Sequence, residues 1–196
     1  MNINTIVTFC GLVLSIVLGG CNENQRAQKP DQNFEKEAPL LSGWQRITTD
    51  TWSLDAPPDW TVDTEGISGA ELVMAPPAES EDDSFYETIN LTIIPIENAK
   101  MNLDSFLALN LETMMLYLPN WELEERNPVN MSGLPAVQLI YSGVLQSYSM
   151  RWCQWYALKD HEAWVLTLAA EQRRYPIVAP TADLVFKSFR FKESGN

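Results

Sequence analysis

Few side chains in this sequence could carry covalent or metal chemistry. There are three cysteines, at 10, 21 and 153, and one histidine, His161. A zinc or iron centre built on several imidazoles within one chain is therefore excluded. No Gly-x-Ser-x-Gly elbow, phosphate-binding Gly-x-x-x-x-Gly-Lys loop, Cys-x-x-Cys pair or His-Glu-x-x-His pattern occurs. His161 falls in the polar run Lys159-Asp160-His161-Glu162, a predicted hairpin turn. An imidazole there is solvated, whereas a catalytic base must be held by a third group. Cys153 lies in Met150-Arg151-Trp152-Cys153-Gln154-Trp155-Tyr156, an apolar strand whose Arg151 shares its face. The run predicts a buried thiol that behaves as a small hydrophobe.

The acids are more concentrated. Glu79, Glu81, Asp82 and Asp83 fall within five residues of a proline-bearing loop, Pro76 to Ser84. Their order does not match a calcium-binding helix–loop–helix, so no metal and no cofactor are assigned. Two readings stand: a docking loop that selects a basic partner, or a solvated loop that aids solubility. Across the chain 26 Asp and Glu oppose 13 Lys and Arg, a net charge of −13. Nucleic-acid binding, which needs clustered positive charge, is excluded.

The N-terminus carries the sharpest motif. Ile6 to Leu18 is uncharged and mostly apolar, shorter than the roughly 20 residues a membrane-spanning helix needs. Such a run followed by small residues has the form of a secretory signal. It ends in Leu18-Gly19-Gly20-Cys21, which resembles the lipobox of bacterial lipoproteins. The resemblance implies cleavage between Gly20 and Cys21 and lipidation of the Cys21 thiol. Met1 to Thr5 departs from the pattern in having no Lys or Arg, and an uncleaved signal anchor is the alternative. With Cys10 removed and Cys21 acylated, Cys153 is the remaining thiol, and no intrachain disulfide can form. Asn22 after the cysteine resembles lipoproteins sorted to the outer membrane, so the expected location is the bacterial envelope, anchored in that membrane and facing the periplasm.

The expected organisation is a signal peptide over 1–20, a lipidated polar tether over 21–42, one domain over 43–192 and a tail over 193–196. The tether is rich in Gln and Asn and lacks a sustained apolar period. As a flexible chain of about 20 residues it would hold the domain about 25 Å from the bilayer. Beyond it, strands are predicted at Trp44–Thr48, Trp52–Ala56, Glu71–Ala75, Ile89–Ile96, Glu122–Glu125, Ala136–Tyr141, Met150–Lys159 and Ala163–Ala169. A helix is predicted over Asn102–Leu118, capped by Asn102 and stopped by Pro119. Its Leu103, Phe106, Leu107, Leu111, Met114, Met115 and Leu118 are expected to face the core. A second helix, about Ile177 to Phe186, precedes a strand at Phe189–Phe191, with Pro180 leaving its start open.

Two strands fix the layering. Met150 to Leu158 places Trp152, Tyr156 and Leu158 on one face and Cys153, Trp155 and Ala157 on the other. Ala163 to Ala169, with Trp164, is also apolar on both faces. A strand apolar on both faces is covered on both. The expected fold class is therefore α+β, an α/β/α sandwich with a central, mostly antiparallel sheet flanked by helices. Trp152, Trp155 and Trp164 are expected in its core.

Three segments together resemble PsbP-like and DcrB-like domains: Trp52-Ser53-Leu54-Asp55-Ala56-Pro57-Pro58-Asp59-Trp60, Gly133-Leu134-Pro135-Ala136 and Phe186-Lys187-Ser188-Phe189. The resemblance covers about Gly43 to Lys192 and implies the same sandwich and a non-enzymatic role. The expected function is a non-catalytic, lipid-anchored envelope protein that binds an unidentified envelope protein or assists assembly of a membrane or cell-surface component. The alternative is a small-ligand carrier or hydrolase-type enzyme using scattered carboxylates and tryptophans.

Overall fold

Short turns and alternating side chains build most of the main sheet. A computed structural model describes residues 39–66, 69–78, 80 and 85–192. The signal segment, most of the tether, Glu79, Glu81, Asp82, Asp83 and the tail 193–196 lie outside the described residues. Four long strands run as a meander: β6 (Glu122–Met131), β7 (Leu134–Leu145), β8 (Tyr148–Lys159) and β9 (Glu162–Glu171). Two-residue connections join them, and left-handed backbone recurs there, at Ser132 (φ 54), Gly133 (φ 89), Gln146 (φ 56), Asp160 (φ 50) and His161 (φ 64). Such turns match the right-handed twist of the strands they join. His161 sits exposed in its turn, as expected.

Before this meander the chain forms β1 (Gln45–Thr48), β2 (Trp52–Ala56), β3 (Thr61–Asp63), β4 (Leu72–Ala75), β5 (Thr88–Pro95) and helix α1 (Leu103–Tyr117). After it come helix α2 (Tyr175–Ser188) and β10 (Arg190–Phe191). The strands fall into two sheets, a seven-stranded one in the order β3-β4-β5-β9-β8-β7-β6 and a three-stranded one in the order β1-β2-β10. Every pairing is antiparallel. The three-stranded sheet, joining the two ends of the domain, was not anticipated.

The layers follow from the alternation on β8. On one face Cys153, Trp155 and Ala157, with Trp164, Leu166 and Leu168 of β9, pack against Val178, Ala182 and Phe186 of α2, Phe189 at its C-terminus, and Leu54 and Phe191 of the small sheet. On the other face Trp152, Tyr156 and Val165 pack against Phe106, Leu107 and Met114 of α1. The cover expected on both faces is present.

Several boundaries differ from the sequence reading, each for a physical reason. Strand β6 continues well past Glu125 because it is the sheet edge. Glu124, Glu125, Arg126, Asn127 and Pro128 face solvent there, which hides the apolar alternation. Charges, a proline without an N–H and a register shift between Leu123 and Glu125 also protect that edge from pairing with another chain. Helix α2 starts two residues early and runs through Pro180. Pro180 and Pro176 are both exposed, so water can reach the carbonyl that the missing N–H leaves unbonded. The Asn102 side chain caps α1 as predicted, accepting from the Ser105 N–H at 2.9 Å.

The Phe186-Lys187-Ser188-Phe189 segment welds the layers at the domain's end. Ser188 Oγ donates to the Val185 carbonyl at 2.6 Å and accepts from the Asp55 N–H at 2.9 Å. Asp55 lies beyond the two residues that β10 pairs with β2, so the hydroxyl continues the ladder where the strand ends. The buried Asp55 carboxylate is held bidentately by Arg46, at 2.7 and 3.0 Å. Ser188→Ala leaves the Asp55 N–H without this acceptor, so a loss of about 1–3 kcal/mol is expected in urea unfolding. A variant as stable as the parent would show that the bond does not tie the two layers.

Candidate functional site

Two regions of the domain merit a functional reading: the surroundings of the single described thiol and the outer face of α1. Cys153 points from β8 toward α2 and is buried. Gln138 on β7 donates its side-chain N–H to the sulfur at 3.5 Å. Together with Trp155, Tyr175, Asp183 and Phe186, these residues line a cleft of about 160 Å³ between α2 and the sheet. The gap exists because α2 presents Ala179 and Ala182 there, whose side chains are too short to fill it.

Arg151, the positive group on the thiol's own face, already has partners. It pairs with Glu124 at 2.5 Å and stands over the Tyr175 ring at 4.5 Å. Burial pushes the Cys153 thiol up from 9.0 to about 11, and the Gln138 and Tyr175 hydrogen bonds only partly offset it. Burial likewise raises the Tyr175 phenol. The cleft thus holds a protonated thiol and a protonated phenol at neutral pH, which makes Cys153 a poor nucleophile. The reading of Cys153 as a small buried hydrophobe agrees with its position.

The tryptophans are core, as expected. Trp152, Trp155 and Trp164 are 4%, 4% and 3% exposed. Trp152 stacks on Tyr141, Trp155 meets Phe186 edge-on and Trp164 meets Phe191 edge-on. Of the three, only Trp155 borders the cleft beside Cys153; Trp152 and Trp164 do not line it. A buried polar network lies on the α1 side of the sheet. The Gln154 side-chain oxygen accepts from the hydroxyls of Tyr141 and Tyr156, and its amide donates to Thr167 at 3.0 Å. Sequence pattern gave no signal for it, because its members come from three strands.

The outer face of α1 departs from expectation. Phe106, Leu107, Asn110 and Met114 face the sheet, but Met115, expected in the core, is 62% exposed. Leu116 is 79% and Tyr117 55% exposed, and Leu109 also reaches solvent. The reason is geometric: Met114-Met115-Leu116-Tyr117 is a continuous apolar run, and steps of about 100° cannot turn four successive residues inward. Single exposed apolar residues are ordinary, but four on the C-terminal half of one helix are more than its packing requires.

Cys21, Gly20 and the four acidic loop residues lie outside the described residues, so the geometry neither gathers nor separates them. Among the described residues, no group of three or more His, Cys, Asp or Glu side chains is placed to hold a metal.

No protein-family model and no curated protein sequence matches the chain. Solved structures do. Cyanobacterial PsbP (CyanoP) from Synechocystis sp. PCC 6803 superposes with a TM-score of 0.57 and 17% identity, over 78% of this chain and 94% of that one. LpqN of Mycobacterium tuberculosis, described as involved in cell envelope biogenesis, gives 0.54 and 15%, over 81% and 91%. The Saccharomyces cerevisiae Ran-binding protein Mog1p gives 0.52 and 10%, over 75% and 94%. At these identities the likeness shows the fold: the domain is an α+β protein of PsbP-like architecture.

The thiol predicts a pH dependence. Its folded value lies above the ordinary 9.0, so its contribution to stability is complete below pH 9 and is lost as pH rises through about 11. In chemical denaturation between pH 8 and about 11, the parent is expected to lose stability relative to Cys153→Ala. Parallel curves for the two proteins would show a thiol that ionises as freely folded as unfolded.

Proposed function

We propose that this protein is a non-catalytic, lipid-anchored component of the bacterial cell envelope whose folded domain binds another envelope protein or helps assemble a membrane or cell-surface complex. The observation that carries the binding half is the exposed apolar group Leu109, Met115, Leu116 and Tyr117 on the C-terminal half of α1. The domain does not need this group for its own core, since Phe106, Leu107 and Met114 already cover the sheet.

The anchoring half rests on Leu18-Gly19-Gly20-Cys21. On this reading attachment is assigned to the acylated Cys21. Asn22 supports the outer membrane, with the domain on the periplasmic side. A structural neighbour described as involved in cell envelope biogenesis and another described as Ran-binding support envelope location and partner binding on this architecture. Glu79, Glu81, Asp82 and Asp83 add four carboxylates that favour a basic partner. A second reading, a small-ligand carrier, is favoured by the cleft beside Cys153. Trp155 and Asp183 border that cleft, whereas Trp152 and Trp164 are core side chains away from it.

Metabolic labelling with a fatty-acid analogue is expected to mark the parent and not Cys21→Ser. Label that survives the substitution would remove the anchor from this reading. For the binding half, a photoreactive residue at position 116 is expected to form a specific adduct in native envelopes. The same residue at position 177, 62% exposed on α2 on the opposite side of the sheet, is expected to form none. Equal or absent adducts at the two positions would remove the α1 face from the reading.

A further inference from the structure

The charge pattern around the apolar end of α1 narrows the chemistry of its partner. From Leu103 to Tyr117 the helix contains two acids, Asp104 and Glu112, and no Lys, Arg or His. Asp104, near the N-terminus, is paired with Arg126 at 2.6 Å, away from the apolar end. Glu112 lies one turn from Leu109, Met115 and Leu116 and is exposed among them. The last turn carries no basic residue, so the partial negative charge of the helix C-terminus is not offset by a side chain of the helix. Glu122, exposed at the start of β6 just beyond that terminus, adds a further carboxylate.

Leu109 and Leu116 are seven residues apart, two turns on one side of the helix, spanning about 10 Å. That spacing matches the apolar stripe of a second amphipathic segment. Methionine beside it adapts to an imperfect fit. We propose that Leu109, Glu112, Met115, Leu116 and Tyr117 form a docking surface for a basic amphipathic segment of a partner protein. Its apolar stripe meets Leu109 and Leu116, and its Lys or Arg side chains meet Glu112 and the helix C-terminus. This inference rests on the partner-binding reading above and adds the partner's chemistry.

Charge separates this occupant from the others. A second copy docked by a twofold axis would bring Glu112 toward its own symmetry mate and like helix ends into the same interface. An anionic bilayer surface is attracted by helices rich in Lys and Arg, and this one has neither. A basic segment gains from both the local carboxylates and the chain's net charge of −13, chiefly through its association rate.

The test uses the full chain in phosphatidylcholine nanodiscs, with empty nanodiscs as reference. The probes are two labelled helical peptides of about 14 residues, one Lys/Leu and one Glu/Leu with the same apolar stripe. Fluorescence anisotropy is expected to show saturable one-to-one binding of the Lys/Leu peptide and none of the Glu/Leu peptide. Met115→Ser with Leu116→Ser should weaken binding about tenfold at unchanged melting temperature. Glu112→Gln should weaken it and flatten its salt dependence. Equal binding of both peptides, or unchanged affinity in the serine variant, overturns the proposal. So does a dimer in sedimentation that the serine variant abolishes, or a fall in melting temperature showing these side chains to be core. If the peptide fails while the adduct at position 116 persists, only the partner's chemistry falls; if both fail, the partner-binding reading falls with it.

Discussion

Strand β8 is the constraint on which the remaining architecture depends. Its side chains are buried on both faces, Trp152 and Tyr156 on one and Cys153, Trp155 and Ala157 on the other. Two indoles pointing in opposite directions cannot be shielded by one layer. A helix must therefore lie on each face, and neighbouring strands must flank β8 on both edges to satisfy its backbone. The sheet supplies β7 and β9, and the chain supplies α1 and α2. The three-layer arrangement is the packing consequence of one strand's alternation.

Covering the second face requires closing the domain with its own ends. Helix α2 alone does not span the surface formed by β8 and β9, and Phe189 at its end together with Leu54 and Phe191 of the small sheet completes it. That sheet pairs the second strand of the chain with its last one. Its ladder is short, and Ser188, Asp55 and Arg46 extend it with side-chain bonds. The first described residues lead into β1 at the edge of this sheet.

The same economy shapes the functional reading. Burial holds the thiol beside α2 in its protonated form, and Arg151, on the same strand, pairs with Glu124 and stands over Tyr175. Chemistry there would need a charge that the surrounding residues oppose. On the other face, α1 has more apolar residues than the sheet can cover, and the surplus gathers at one end. Burial thus keeps the Cys153 thiol protonated at neutral pH, while incomplete burial leaves apolar side chains of α1 open to contact.

Local, periodic signals were legible in the sequence. The period-two alternation of β8 announced both faces, and Asn102 and Pro119 marked the limits of α1, because caps and helix stops act within a few residues. Strand β3 and the outer half of β6 were not legible, since short or solvent-bathed edge strands carry no apolar alternation. The pairing of β2 with β10, the gathering of Gln138, Tyr175 and Asp183 around Cys153 and the Gln154 network join residues far apart in the chain. No local rule encodes them. Met115 shows the limit most plainly: pattern alone assigned it to the core, but which member of an apolar run turns outward depends on where the sheet lies. The sequence by itself determined which segments must be buried and on how many faces, because hydrophobicity and backbone period are properties of neighbours. Only the tertiary structure decided which buried surfaces meet and which apolar residues are left over, because that depends on the space each layer leaves for the next.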